Sequence, residues 1–538
     1  MMELNNYFVP LVLRHLQLMG IKCDPKELQL VLQSAPSFPS ILSIVQACTY
    51  FGLKTTAYRA DYTALTKATT PAIAHIKEDS TDRFILVNIV SEIEVTYYDA
   101  FLNKEIKISK DDFCTLWDGI IVLSEKTENN IFHKPVSRLT EYGIVLATLC
   151  FVFGTLVINP LPLQSFLFFS TLLGLKIVGI WFTVGLLMQK SKGAYSVFDT
   201  FCHAGDAFDC TKVVESKVSK LFNNVALADI GFVYFSMGII LLCIAPFSGI
   251  MIPVLQLLFY LSVCSTPFIL FSIFYQKIVV KKWCLLCLGT MFTLIFEVIL
   301  FFFFPIKIFS GDLVLVARTL FFSFFISIGV LFLMKRIVEN QAKVFNTSKS
   351  ALQLKRTPLI ISAVFSGQKI IPQQMNDSLT IGYEEAPVTI TTLLNPICNP
   401  CKNIAVEIIN LLETYPSFIQ WHIRLDGMIA PEYDNLNKPQ LYLFDLFRQN
   451  GNTGVRLNII KKWFKIQSIS KLFKIYPLDN IPEETIHLFS EHLRNNDKLK
   501  AEKVPSIWIN NRVFPKEYSL RDIPFLLTDL GILLKSTI

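Results

Sequence analysis

Apolar and polar positions divide the chain into parts of different texture. Up to about residue 130, apolar positions recur at helical spacing in "LVLRHLQLMG" and "KELQLVLQSA", and again through "SILSIVQACTYFGL". The β-branched, alternating segments "RFILVNIV" and "EIEVTYYDAF" follow, so residues 1–130 predict an α+β domain. Beyond 140 the polar face disappears. Apolar stretches run over 142–159, 165–189, 225–246, 250–276, 283–304 and 312–334. About 20 apolar residues cross ~30 Å of hydrocarbon as a helix, so residues 140–336 predict an α-helical transmembrane bundle of five to six spans. Its joints are short and hold turn formers, except for the long polar segment 190–224. Residues 337–375 read as a mixed linker whose apolar patch "PLIISAVF" is too brief to span. From 376 to 538 the chain reads as α/β. A strand "APVTITTLLN" leads to a helix "KNIAVEIINLLETY" and a strand "IQWHIRLD", followed by a helical insertion over 432–500 and then "VPSIWIN".

Composition supports the same division. Of 538 residues, 52% are hydrophobic and 17% charged, and mean hydropathy is +0.46. These values fit a multidomain integral membrane protein with water-facing parts. The net charge of +7 is small, and no Lys/Arg cluster alternates with aromatics, which excludes a nucleic-acid surface. The first twenty residues carry Pro10, Arg14 and His15 inside their apolar stretch and no small-residue cleavage site. They read as a domain start and not as a signal peptide.

Six of the twelve cysteines form three close pairs, and the spacing of each pair carries chemistry. The scattered ones, at 23, 48, 114, 150, 243 and 264, read as small buried hydrophobes. Cys398 and Cys401 lie where a strand ends and a helix begins. There the helix N-terminus favours a thiolate on the first cysteine, making Cys398 the exchanging sulfur and Cys401 its resolving partner. A structural disulfide or half a zinc site is the alternative, although no second Cys/His pair lies nearby to complete four zinc ligands. Cys284 and Cys287 fall one helical turn apart, just after Lys281, Lys282 and Trp283, residue types that favour a membrane interface. Seen alone, that pair is open to a simple packing role. Cys202 and Cys210 lie in the long polar segment. Counting antiparallel helices places them on the same membrane face as Cys284 and Cys287, and the chain leading to Cys398 emerges there too. Three dithiol pairs on one face suit a thiol–disulfide relay, since exchange needs direct sulfur-to-sulfur attack.

Two resemblances sharpen this. The order strand, Cys-x-x-Cys, helix, strand, insertion, Val504-Pro505, strand resembles a thioredoxin fold, with an insertion similar to that of the bacterial periplasmic disulfide oxidoreductases and isomerases. In that resemblance Pro505 is the cis-proline facing the cysteine pair. Cys202-x7-Cys210, Ser216, "SKVSKLF" and Trp283-Cys284-x-x-Cys287 together resemble the vitamin K epoxide reductase family over roughly 165–334. That resemblance implies a four-helix core around a quinone (menaquinone or ubiquinone), oxidation of reduced substrate proteins or peptides, and a relay. Cys287 would lie against the quinone ring with Cys284 as its disulfide partner. Cys210 would exchange with Cys284, and Cys202 would receive electrons from the thioredoxin-like domain. Ser216 would hydrogen-bond the loop cysteine or a quinone oxygen. Met291 stands where animal members carry a tyrosine.

Residues 1–125 resemble the papain-like cysteine peptidase domain of bacteriocin exporters, through "SFPSILSIVQACTYFGL", "TPAIAHI", "DRFILVNI", "VTYYDAF" and "DDFCTLWDGIIVL". The required early nucleophilic cysteine is missing, Arg83 stands at the place of the base histidine, and His75 is offset from it. Asp99 matches the orienting residue. The domain is therefore expected to be inactive as a peptidase and to bind leader peptides instead.

Orientation raises a conflict. Disulfide formation belongs in oxidising space, which places the cysteine face in the periplasm of a bacterial inner membrane. Yet Lys190, Lys192, Lys212, Lys217, Lys220, Lys277, Lys281, Lys282, Lys335 and Arg336 all flank that face, against Lys307 opposite, contrary to the positive-inside rule. Six full spans put the N-terminal domain on the cysteine face. If 142–159 does not cross, it lies on the other.

Overall fold

A computed structural model describes residues 7–126, 163–190, 197–202, 208, 210–215, 220–222, 225–303, 313–371, 379–427, 438–477 and 481–527, without 69–70 and 79–80. The stretch 142–159 and Ser216 lie outside the described residues.

The N-terminal domain packs the helices Phe8–Leu18, Pro25–Gln33 and Ile41–Tyr50 against an antiparallel sheet. Its strands are β1 (Leu53–Arg59), β2 (Ala72–Glu78), β3 (Thr81–Val90), β4 (Glu94–Asp99), β5 (Lys104–Ser109) and β6 (Trp117–Lys126), in the order β1-β6-β2-β3-β4-β5. Local signals start the helices where the sequence places them. The Asp24 carboxylate accepts the Lys26 N–H ahead of Pro25, and Ser40 and Ser43 cap each other reciprocally. Leu11, Leu16, Leu28, Leu32, Ile44 and Leu86 meet in one core.

Five described helices are long and apolar enough to cross a membrane. The helix elements are Leu163–Lys190, Leu227–Ser248, a third that runs from Met251 to Val280 with a break at Ser265, Leu285–Phe303, and Leu313–Lys355. The third ends in a π-helical turn, Tyr275–Val280, and Lys281 then takes a left-handed conformation with φ 55°. This turn reverses the chain into the helix that begins after Cys284. Residues 337–355, expected as linker, continue the last helix instead. The "PLIISAVF" patch forms a helix, Pro358–Ser366, that buries Ile361 and Phe365 in the C-terminal core. The patch is too short to span and is amply apolar, so burial against a neighbouring domain satisfies it.

The C-terminal domain is a mixed sheet of β7 (Leu379–Gly382), β8 (Val388–Leu394), β9 (Ile419–Leu425), β10 (Ser506–Ile509) and β11 (Arg512–Val513), ordered β11-β10-β8-β9-β7. β8 and β9 run parallel, and the helix Asn399–Thr414 crosses between them. β10 joins β8 antiparallel just after the cis peptide Val504–Pro505. This is the thioredoxin-like arrangement. Its insertion consists of the helices Lys438–Gln449, Thr453–Ile466, Ile469–Phe473 and Glu483–Asn496.

Candidate redox site

Four of the cysteines meet where one end of the bundle closes. Cys202, Cys210 and Cys284 are buried and Cys287 half-buried in one cluster with Leu186, Phe198, Val213 and Leu286. Several elements contribute to the cluster. The first spanning helix ends there, the third arrives there, the Cys284–Cys287 helix starts there, and the polar segment lies across them. Cys202 and Cys210 are joined by a disulfide. A backbone bridge between Phe208 and Trp283 ties that segment to the strand-like entry of the Cys284 helix.

Cys284 immediately precedes its helix, and the Cys287 N–H donates to its Sγ at 3.3 Å. Sulfur that gains negative charge during exchange therefore faces a free N–H at a helix N-terminus. The Cys284 N–H itself donates to Gln276 Oε1 at 2.8 Å, and Gln276 Nε2 donates to Ser272 Oγ at 3.1 Å. Gln276 is 1% exposed and lies in the π-helical turn, a feature often found at functional sites. It fixes the position of Cys284, and it escaped the sequence reading. Its only signal there was a polar residue closing the apolar stretch 250–276. Gly289 admits the Phe182 ring beside this helix, for a Cβ there would come within 2.4 Å of it.

The third pair sits in the C-terminal domain as its sequence position suggests. Cys398 is the cap residue before the helix Asn399–Thr414 and is half-buried, while Cys401 is buried one turn inside. Burial pushes the Cys401 thiol up to about 12, and the Asn395 N–H donates to its Sγ at 3.3 Å. Cys401 is thus held as a protonated thiol, the state expected of a resolving partner. Asp426, raised by burial, lies within electrostatic reach of it. The insertion braces this loop, since Trp463 Nε1 donates to the Pro396 carbonyl at 2.9 Å. Val504 and Cys398 pack on the same core, with Pro505 next in the chain.

A further polar cluster lies inside the bundle. Lys176 Nζ donates to Glu297 Oε2 at 2.8 Å, with both side chains fully buried. Tyr234 and Ser262 hydroxyls reach the same oxygen at 2.6 and 3.2 Å. Among the described residues, no metal-binding cluster of His, Cys, Asp and Glu exists.

In the N-terminal domain, Arg83 Nε donates to Asp99 Oδ2 at 2.9 Å, and Asp99 Oδ1 accepts the N–H groups of Phe101 and Leu102. Tyr7, at the head of the first helix, accepts the Phe84 N–H on its hydroxyl. Burial raises that phenol to about 12. Among the described residues, the place facing Asp99 therefore holds the Arg83 guanidinium, with the protonated Tyr7 phenol nearby. His75 lies apart, paired with Asp118 at 2.8 Å.

Comparison with known families agrees with this geometry. Residues 170–302 match the vitamin K epoxide reductase family. Residues 170–302 of the bundle form a vitamin K epoxide reductase domain. Residues 11–129 match the peptidase C39 family, so the vitamin K epoxide reductase domain follows a peptidase-like domain. No curated protein matches the chain. Similar solved structures include BdbD from Bacillus subtilis (15% identity, 31% of this chain and 97% of that chain, TM-score 0.24). Others are the catalytic domain of Proteus mirabilis ScsC (12%, 33% and 98%, 0.25) and a double glycine motif protease from an AMS/PCAT transporter in complex with the leader peptide (18%, 22% and 83%, 0.20). The chain is a membrane thiol–disulfide oxidoreductase that joins a vitamin K epoxide reductase domain to a thioredoxin-like domain.

Proposed function

We propose that the protein oxidises dithiols of client proteins or peptides and delivers the electrons to a membrane quinone. The observation that carries this reading is the packing of Cys202, Cys210, Cys284 and Cys287 in one cluster at the mouth of the bundle. Catalysis begins when a client thiolate attacks the Cys398–Cys401 disulfide, and the client's second thiol resolves the mixed disulfide. The Cys398 thiolate then attacks the Cys202–Cys210 disulfide at Cys202, and Cys401 resolves, leaving Cys210 as the next nucleophile. Cys210 attacks Cys284 of the Cys284–Cys287 disulfide, releasing Cys287 as a thiolate. Each exchange breaks one S–S bond and forms another, moving two electrons inward.

The half-buried thiol of Cys287, set among Phe182, Val280 and Leu286, fits a flat apolar ring. A quinone bound there supplies the acceptor for two electrons and two protons. In this reading Gln276 holds Cys284 in register for Cys210, and Ser216 hydrogen-bonds the loop cysteine or a quinone oxygen. The cysteine face is periplasmic in a bacterial inner membrane, as disulfide chemistry requires. Reporter fusions after residues 130, 205 and 370 test that orientation.

The full-length protein mixed with quinone and a reduced dithiol peptide tests the whole route. Loss of quinone absorbance with matching disulfide formation, abolished by Cys287→Ala, is expected. Absence of quinone reduction overturns it.

A second reading concerns the client. Arg83 bonds Asp99, and the Tyr7 hydroxyl accepts the Phe84 N–H, which supports a peptidase-like domain that does not cut. We infer that it holds leader-bearing peptides without cutting them, as an accessory to their maturation or export. Titration with double-glycine-leader peptides tests this, and no measurable affinity refutes it.

A further inference from the structure

The last spanning helix is far longer than a membrane needs. Its 43 residues measure about 65 Å at 1.5 Å per residue. The apolar part ends near residue 334, and the polar remainder from Lys335 to Lys355 extends roughly 30 Å beyond. At its tip three parts of the chain converge on one buried charge. Arg356 is 1% exposed, and its guanidinium donates to Ser34 Oγ at 2.6 Å in the N-terminal domain and to Asp522 Oδ1 at 3.3 Å in the C-terminal domain. Lys355 Nζ donates to the other oxygen of Asp522 at 2.8 Å. The Arg356 guanidinium also stacks on the Phe525 ring at 3.6 Å, and Phe525 is buried within the N-terminal domain's own core.

Around this junction the two water-facing domains touch directly. Gln46 Nε2 donates to the Pro524 carbonyl at 2.9 Å, and Gln353 Nε2 donates to the Gln33 carbonyl at 2.9 Å. The segment Thr49–Leu53 faces Glu407–Thr414, the rear of the helix that carries Cys401, across a narrow gap. Thr49 bonds the Tyr415 hydroxyl.

We infer that the peptidase-like domain lies on the cysteine face of the membrane and is a fixed dock for the thioredoxin-like domain. The dock grips the helix of Cys401 from behind and leaves its Cys398 end outside the interface. A buried arginine shared by three segments fits a permanent interface, because its desolvation is offset only while Ser34 and Asp522 hold its N–H groups together. The shared face also decides the count of crossings. Five described spanning helices separate the two domains, an odd number, and the sequence offers the apolar stretch 142–159 as a sixth. The alternative of an N-terminal domain on the opposite side is incompatible with this junction. The inference stands whether or not a quinone accepts the electrons.

The test uses the full-length protein with different epitope tags at its two ends, in sealed vesicles of one orientation, digested from outside. Both tags are expected to be cut in one orientation and both protected in the other. Opposite fates of the two tags overturn the inference. The dock is read separately by amide exchange in Asp522→Asn and in Arg356→Gln. Each is expected to raise exchange severalfold in 46–53 and 407–414 together while β3 and β8 stay protected. Unchanged exchange across both surfaces refutes the dock.

Discussion

The Lys176–Glu297 pair makes a quantitative prediction about the bundle that carries the redox site. Replacing Glu297 by Met leaves a fully buried lysine without its carboxylate, and leaves the Tyr234 and Ser262 hydroxyls without the acceptor they share. Removing one partner of a buried pair costs about 3–5 kcal/mol. A lone charge at mid-membrane costs a similar ~2.5–3.5 kcal/mol on insertion scales. Glu297 lies ten residues beyond Cys287 in the same helix, about 15 Å deeper at 1.5 Å per residue, so lysine cannot easily reach water. Lys176→Met is expected to cost about as much, because it leaves the carboxylate unpaired. The double replacement with Met is expected to cost far less than the sum, giving a coupling energy of about 3 kcal/mol or more. Equilibrium unfolding of the purified protein in mixed micelles measures all three. Single variants within about 1 kcal/mol of the parent, or a double variant that costs the sum, refute the reasoning. Gly238→Ala provides an independent check. Its new Cβ would come within 2.8 Å of Lys176 Cε, so a cost of about 1–3 kcal/mol is expected from displacing the lysine.

Further predictions address the site and the N-terminal domain. The Cys202→Ser variant lacks the sulfur that resolves the next mixed disulfide, so attack of Cys210 on the Cys284–Cys287 disulfide, with Cys287 leaving as a thiolate, is expected to leave a Cys210–Cys284 disulfide, identified by mass spectrometry of linked peptides. Its absence breaks the proposed order of exchange. Gln276→Ala removes the acceptor of the buried Cys284 N–H, with an expected cost of about 1–3 kcal/mol and slower transfer from Cys210 to Cys284 in rapid-quench thiol trapping. An unchanged rate shows that Gln276 does not position Cys284. His15 is held near 4 by burial, below its ordinary 6.5, beside Ser124. Its folded value lies below its unfolded one, so the associated stability is complete above about pH 6.5 and is lost as pH falls toward 4. The shift corresponds to about 3 kcal/mol, and His15→Gln is expected to flatten the pH dependence of N-terminal domain unfolding.

Much of this protein is legible in its sequence because the decisive signals are local. Runs of apolar residues mark the spanning helices, since a helix in lipid must satisfy its backbone internally and bury its side chains in hydrocarbon. The Cys-x-x-Cys spacing places two sulfurs one turn apart whatever surrounds them, and helix counting requires no knowledge of packing. Arg83 in place of a histidine is what gives the expectation of an inactive peptidase fold. Other features depend on residues far apart in the chain. Lys176 and Glu297 are separated by 121 positions, and each alone reads as an awkward charge in an apolar helix. Gln276 matters only because a π-helical turn brings it back to Cys284. The stretch 337–375 looks like a linker because its polar positions meet no partner in sequence. Tertiary structure makes residues 337–355 a continuation of the last spanning helix that leads into Arg356, whose partners Ser34 and Asp522 lie 322 and 166 residues away. The spacing of the three cysteine pairs is therefore legible in the sequence. Which surfaces hold those pairs in place was decided by long-range burial of charge, which no local pattern encodes.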